Sequence, residues 1–351
     1  MGKLDRIADK IKGVVKGVEE ISTTPKPRRW SGSAHGDDYA AANELKGNLL
    51  DKYSGSDLLT ETDFEIVSNE FGKTLHSVEF VEKSFSVPDS CAGDILSDLK
   101  LIYGIGDVRE KELKQEGYET IEELREHDKW GGEAKSIIDA FQSGELGDVY
   151  NLLCRWKSLS HPSFLRLSGL FERGEFAIVD IETMGLSNQP VFLLGLAQPV
   201  DSGIEVHQFL AEDLDQELAT LVQFSTQLEG CSVILTYNGK NFDIPYIERR
   251  LSYYGQRKKF SHPHLDLYLF ARSILDGRTK NCKLGTLERS ILGVDRDVDI
   301  PSGLVPDFYK TYMEEKNPGP LVPILAHNRQ DLLSLADLFH ELTGEALDGT
   351  Y

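Results

Sequence analysis

The spacing of apolar positions changes character near residue 172. Before that point it is mostly helical. Leu4, Ile7, Ile11, Val14, Val15 and Val18 recur at near-helical intervals, which predicts a short amphipathic helix over residues 1–20. The polar stretch after it, STTPKPRRWSGSAHGDD, reads as a flexible linker from its Pro, Gly and Ser content. Within residues 36–93 only 72–87 alternate well enough for one or two strands, and no chemistry attaches to them. Residues 94–146 are helical in pattern, with an interruption at Tyr103-Gly104-Ile105-Gly106. From about Glu175 the apolar runs FAIVDI, VFLLGLA and SVILTYN alternate with helical segments such as LDQELATLVQFSTQL and IPYIERRLSYYG. Strands followed by helices argue for an α/β domain. We place it at residues 172–351, behind a smaller, mainly helical region at 94–171.

Charge narrows the functional classes. Against 38 Lys and Arg stand 58 Asp and Glu, a net charge of −20 in 351 residues. That balance excludes a protein that holds nucleic acid by bulk positive charge, yet leaves room for a local basic site and for carboxylate-rich metal sites. The four cysteines form no CxxC pair, so neither a disulfide framework nor a structural zinc site is expected, and a reducing cytoplasm is the default. No window approaches 18 consecutive apolar residues, and the mixed charges of the first 20 residues do not suit a secretory leader. Neither a G-x-x-x-x-G-K-[ST] phosphate loop nor a G-x-S-x-G elbow occurs, which disfavours nucleotide-switch and serine hydrolase chemistry.

The candidate chemistry lies in carboxylates. Asp180 and Glu182 close the first strong apolar run and, two apart on a strand, share a face. Acids so placed resist joint ionisation when buried, and a divalent cation such as Mg²⁺ or Mn²⁺ removes that cost. For this pair alone a strand end meeting solvent is the plainer reading. Asp243 follows SVILTYN after Gly-Lys-Asn-Phe, at the start of the next helix, where a carboxylate is also an ordinary cap. In LVPILAHNRQDLLSLADLFHEL, His327 and Asp331 are four apart on one helical face. Asp266, in HLDLYLF, reads equally as a helix cap or as an outer acid supporting a site.

Taken in order, DIETMGL, the run Asn238-Gly-Lys-Asn-Phe-Asp243, HLDL and HNRQDLLSL resemble the motifs of DEDD-type, DnaQ-like 3′→5′ exonucleases, and among them the YprB-like group. The resemblance spans residues 160–342. It implies an RNase H-like fold, a mixed sheet flanked by helices. It also implies metal-dependent 3′→5′ exonuclease activity on nucleic acid, DNA rather than RNA, at single strands or 3′ ends. Carried over residue by residue, Asp180, Glu182 and Asp331 would hold a first Mg²⁺ or Mn²⁺, and Asp180 with Asp243 a second. Two ions ~4 Å apart stabilise the attacking and leaving oxygens of phosphodiester hydrolysis. His327 would orient or deprotonate the attacking water. Asn238 and Phe242 would seat the terminal nucleotide, and the backbone from Thr183 to Leu186 would contact its sugar and base. Two features depart from the pattern. Three residues separate His327 from Asp331, the spacing of members with tyrosine there, and Met184 stands where a second threonine is commoner.

Two further segments bear on nucleic acid. Between Ile244 and Lys283 nine basic residues, including Arg257, Lys258 and Lys259, face three acids, which reads either as a phosphate-steering island or as a solvated helical face. Leu99-x-x-Ile102-x-Gly104-Ile105-Gly106, followed by Gly117-Tyr118-Glu119-Thr120-Ile121, resembles a helix-hairpin-helix, with Gly104 and Gly106 letting phosphate approach a helix N-terminus. A purely structural hairpin is the alternative. The leading expectation is the exonuclease. A ribonuclease using the same site and a non-catalytic nucleic-acid scaffold stand beside it.

Overall fold

The computed structural model describes residues 36–89, 92–296 and 300–347; the helix expected over 1–20 and most of the linker lie outside them. Its centre is β3 (Phe176–Thr183), where Phe176 to Val179 are buried on both faces. Strands covered on both sides read as unbroken apolar runs, which is why FAIVDI shows no alternation. β3 pairs antiparallel with β4 (Val191–Val200) and parallel with β6 (Val233–Thr236); β6 pairs parallel with β7 (His264–Asp266), and β4 antiparallel with β5 (Gly203–Leu210). The hairpin of β1 (Glu65–Asn69) and β2 (Gly72–Val81) extends the β5 edge. The result is one seven-stranded mixed sheet in the order β1-β2-β5-β4-β3-β6-β7, the RNase H-like arrangement expected.

Helices cover both faces. Odd-numbered residues of β3 (Ala177, Val179 and Ile181) share a core with Phe224 and Leu228 of helix Glu217–Leu228 and with Tyr246 and Ile247 of helix Asp243–Tyr253. On the opposite face Phe176 and Ile178 pack with Leu332, Leu335 and Phe339 of the C-terminal helix Leu321–Leu347. That core runs on without a break into Ile95, Leu99, Ile102, Ile121 and Leu153 of the upstream helical region. A third cluster joins Leu49, Tyr53 and Phe64 from the N-terminal part to Phe192 and to Phe308, Tyr309 and Leu325. Among the described residues no helix is long and apolar enough to cross a membrane.

This architecture fixes the registration of the C-terminal helix on the sheet. Arg329 reaches across to β2 and pairs with the buried Glu79 through Nε at 2.6 Å and Nη2 at 2.9 Å. One residue earlier, Asn328 is fully buried over Gly195 in the middle of β4. A Cβ at Gly195 would lie 2.4 Å from Asn328 Oδ1 and 2.8 Å from Leu332 Cδ1, so only glycine lets the helix come this close.

Candidate nuclease site

The site forms where β3 ends. Asp180 and Glu182 lie on the even-numbered face, toward the C-terminal helix; both residues are half-buried, with the carboxyl of Asp180 at the buried end. Asp180 stands opposite Gly195, and Gly195 opposite Gln208, so the three occupy one row across the sheet. Over that row Asn328 donates through Nδ2 to Asp180 Oδ2 at 2.8 Å, while its Oδ1 accepts from Gln208 Nε2 at 2.9 Å. Gln208 Nε2 also donates to the Leu325 carbonyl at 2.9 Å. A buried amide relay thus holds the first carboxylate in place.

Asp243 comes from the other side. Pairing between β3 and β6 stops at Ile178 and Leu235, which leaves the far end of β3 open on that edge. Asp243 opens helix Asp243–Tyr253 there and is buried, with hydrogen bonds from its own backbone and that of Ile181. Burial still dominates, and with Asp266 and Glu182 nearby it pushes the Asp243 carboxyl up to about 7. The turn that delivers Asp243 is itself held. Asn238 takes φ 64°, in the left-handed region, and a Cβ at Gly239 would lie 2.5 Å from Thr236 Cβ. The buried Asp266 accepts from the backbone N–H groups of Asn238 (2.6 Å), Lys240 (3.1 Å) and Tyr268 (3.2 Å). Both readings of Asp266 therefore meet in one residue, since it caps its own helix and fixes the turn before Asp243.

The C-terminal helix adds His327 and Asp331, with Nε2 3.6 Å from Oδ2. Asp180 carries the clearest mark of convergence. Burial, then Asp331, Glu182 and Asp243 in that order, raise its carboxyl well above the ordinary range, opposed by His327. Three acids, one from β3 and one from each of two helices, thus act on the carboxyl of Asp180. Among the described residues no three His, Cys, Asp or Glu side chains are gathered closely enough to hold a metal ion as they stand. The donor chemistry nevertheless fits Mg²⁺ or Mn²⁺, since the set is oxygen-rich and its like charges repel.

The positive charge now at the site is Arg296, which the motifs did not mark. Its Nη2 donates to Asp331 Oδ1, and its Nη1 lies 2.9 Å from His327 Nδ1. Behind it the buried Glu288 takes Nε at 2.8 Å and Nη2 at 2.5 Å, and Ser334 Oγ donates to Glu288 at 2.6 Å. A guanidinium only donates, so in this contact His327 Nδ1 accepts and Nε2 carries the ring proton.

The other expected residues fall in three groups. Thr183, Leu186, Asn238 and Phe242 lie close in sequence to Glu182 and Asp243. Leu186 is 81% exposed on the loop after β3, and Phe242 packs on Tyr246 with ring centres 5.1 Å apart. Thr183 Oγ1 donates to the Gly185 carbonyl at 2.9 Å, and Tyr246 Oη to the same oxygen at 2.7 Å, so this loop is tied to helix Asp243–Tyr253. Four of the nine basic residues of the island are paired with acids. Lys258 pairs with Glu229 at 2.9 Å, Lys259 with Glu248, Arg278 with Glu345 at 2.8 Å, and buried Arg250 with buried Glu217 at 2.6 Å; Arg257 is exposed. Gly104 (φ 83°) and Gly106, the residue before helix Asp107–Gln115, sit in the upstream helical region. Around them Tyr103 N–H donates to Glu133 at 3.1 Å, and Lys100 lies 3.1 Å from Asp107 and 3.5 Å from Glu110.

With the geometry in place, relatives can be compared. Residues 177–343 match a family model described as the RNase H superfamily. These residues form an RNase H-like domain. The chain is 29% identical over 216 residues to the uncharacterized protein YprB of Bacillus subtilis (strain 168), covering 60% of this chain and 51% of that protein. It is 28% identical over 144 residues to DNA polymerase 1 of Sulfurisphaera ohwakuensis, 36% of this chain and 16% of the polymerase. The family B DNA polymerase of Pyrobaculum calidifontis is a solved structure matching half of this chain and 26% of its own, at 20% identity and a TM-score of 0.38. The matched part of the chain thus spans about half the length of YprB and a smaller part of either polymerase.

Proposed function

We propose that the chain is a metal-dependent nuclease, and more narrowly a 3′→5′ exonuclease that hydrolyses DNA from single strands or 3′ ends. The observation that carries the reading is the convergence of Asp331, Glu182 and Asp243 on the buried carboxyl of Asp180. Carboxylates crowded around a buried carboxyl at a strand end, beside a histidine, are costly to a fold unless cations neutralise them. Similarity to a chain named as a DNA polymerase supports a nucleic-acid substrate, DNA before RNA.

Asp180, Glu182 and Asp331 would hold one Mg²⁺ or Mn²⁺, and Asp180 with Asp243 a second. Bound there, the ions supply a nucleophilic water at neutral pH and neutralise charge on the departing 3′ oxygen. The protein's own contributions are positional. Asn328 and Gln208 keep Asp180 turned toward the site. Asp266 keeps the turn before Asp243 in register. With Nδ1 occupied by Arg296, His327 presents Nε2–H and is placed to orient a water or phosphate oxygen as a donor, so orientation is the role we assign it over proton abstraction. Leu186 and Phe242 offer apolar surface to a terminal base.

The 99–121 hairpin we assign to packing. Its turn backbone already donates to Glu133, and its first helical turn carries Asp107 and Glu110 beside the open face of Gly106. Lys100 is committed to both acids and Lys114 to Glu110, which leaves these two lysines engaged within the hairpin.

The test is end-labelled single- and double-stranded DNA and matching RNA, incubated with Mg²⁺ or Mn²⁺, with the Asp180→Asn protein alongside. Stepwise shortening from the 3′ end that disappears in the variant is the expected result. Cleavage that persists in the variant would remove the site assignment, and binding without cleavage under every condition would leave the scaffold reading.

A further inference from the structure

We propose that Arg296 is a resident countercation of this site. It holds Asp331 until a divalent ion takes that carboxylate, and its freed N–H groups then meet a phosphate of the bound strand. The inference rests on the metal-dependent reading above and extends it to a residue outside all four motifs.

The Arg296 guanidinium has two differently held edges. Its inner edge, Nε and Nη2, is locked in a bidentate pair with Glu288, which is buried and further held by Ser334 Oγ. Two such bonds on a planar fork fix its orientation, so Arg296 cannot swing away without leaving a buried carboxylate alone. Its outer edge, the rest of Nη2 and Nη1, reaches Asp331 and His327. The anchor therefore holds the cation at the rim of the carboxylate cluster, where it supplies the charge that the acids otherwise lack.

A divalent ion and a guanidinium compete for the same Asp331 oxygens. Once the ion holds Asp331, Arg296 stays in place through Glu288, but its outer donors have lost a full negative charge. A phosphodiester oxygen is the ligand that suits a planar donor pair beside bound cations, because bidentate recognition of phosphate is what the arginine fork does best. Charge agrees with this order of events. The Arg296–Glu288 pair is neutral as a unit, so after exchange the site presents donors to the substrate without adding net charge against the incoming ions.

The test reads metal and substrate separately. Mn²⁺ alone is titrated into wild type, Arg296→Gln, and the double variant Glu288→Gln/Arg296→Gln, and free ion is followed by electron paramagnetic resonance. The double variant leaves no orphaned buried charge, so it guards against simple misfolding. Both variants are expected to bind Mn²⁺ about tenfold more tightly than wild type, the scale of one lost competing ion pair of about 1.4 kcal/mol. In the presence of Mn²⁺, a single-stranded DNA oligonucleotide with phosphorothioate 3′ linkages should bind both variants about tenfold more weakly by fluorescence anisotropy. Unchanged or weaker Mn²⁺ binding in both variants would overturn the inference while leaving the nuclease reading intact. Unchanged oligonucleotide binding would overturn it as well. Absence of Mn²⁺ binding by wild type would remove both readings.

Discussion

Gly195→Ala is the smallest change that tests whether the site depends on how closely the C-terminal helix approaches the sheet. The added methyl would stand 2.4 Å from Asn328 Oδ1, 2.7 Å from Nδ2 and 2.8 Å from Leu332 Cδ1. Contacts of that length must open by about 1 Å to reach ordinary van der Waals distance. The Asn328 amide cannot turn aside cheaply, because it is fully buried, donates to Asp180 and accepts from Gln208. Overpacking of this kind costs about 1–3 kcal/mol. Losing the hydrogen bond to the Asp180 carboxylate adds roughly 1.5–3 kcal/mol. The sum, about 2.5–6 kcal/mol, is a large share of the 5–15 kcal/mol typical of a folded domain. A displacement of about 1 Å at a catalytic group lowers turnover by on the order of a hundredfold. Urea denaturation and single-turnover cleavage, both at fixed Mn²⁺, measure the two effects. The double variant Gly195→Ala/Asn328→Ala separates them. It relieves the two contacts to Asn328 and leaves the one to Leu332, so stability should partly return, yet Asp180 remains unsupported and turnover stays low. Wild-type stability and turnover in Gly195→Ala would refute the reasoning, and so would recovered turnover in the double variant.

Three other outcomes are expected. Asp180→Asn should lower cleavage by on the order of 10²–10³-fold or more while raising the Tm of the metal-free protein at pH 8, because it removes a charge that burial and three acids oppose; a lower Tm would contradict the electrostatic account. Asp243 is raised from 3.8 to about 7, so the folded state binds more protons than the unfolded state across that window. Its contribution to stability, present below about pH 4, is lost as pH rises through 7. Mn²⁺, which needs the ionised carboxylate, should therefore raise Tm more at pH 8 than at pH 5, and equal shifts at both pH values would refute this. Glu217→Gln should cost about 3–5 kcal/mol in urea denaturation, because it leaves buried Arg250 without its bidentate partner and also weakens the hold on Tyr254 Oη; a loss under 1 kcal/mol would show that the pair is dispensable.

The RNase H-like domain was legible in the chain because its central strands are buried on both faces and therefore written as apolar runs. β3, β4 and β6 each stand under such a run. β5 was missed for a physical reason. Its sequence GIEVHQFL mixes His207 and Gln208 into the strand, yet both are buried, Gln208 as part of the amide relay to Asp180. Alternation around residues 72–87 marked β2 but not its destination, since pairing with β5 is set by contacts more than 120 residues apart. The basic island shows the same limit. Composition counts charges, while the fold decides that Arg250, Lys258, Lys259 and Arg278 spend theirs on acids of other elements.

Within the site, legibility divides by chemistry. Asp180, Glu182, Asp243, His327 and Asp331 stand out because a charged or titratable side chain at the end of an apolar element needs a reason. The groups that hold them look ordinary in sequence. Asn328 sits inside the His327–Asp331 segment and reads as a polar helix position, and Gly195 reads as a weak point in a strand. One signal was available: a glycine in the middle of an apolar strand asks what approaches it, and a buried asparagine is the answer. No comparable signal marks Arg296, 31 residues before His327, because its anchor Glu288 and its target Asp331 lie on different elements. Motifs record the atoms that would touch substrate, whereas the charge balance that lets four acids stand at one strand end is a property of the folded chain. That balance is therefore where variants of this protein should separate metal binding from substrate binding.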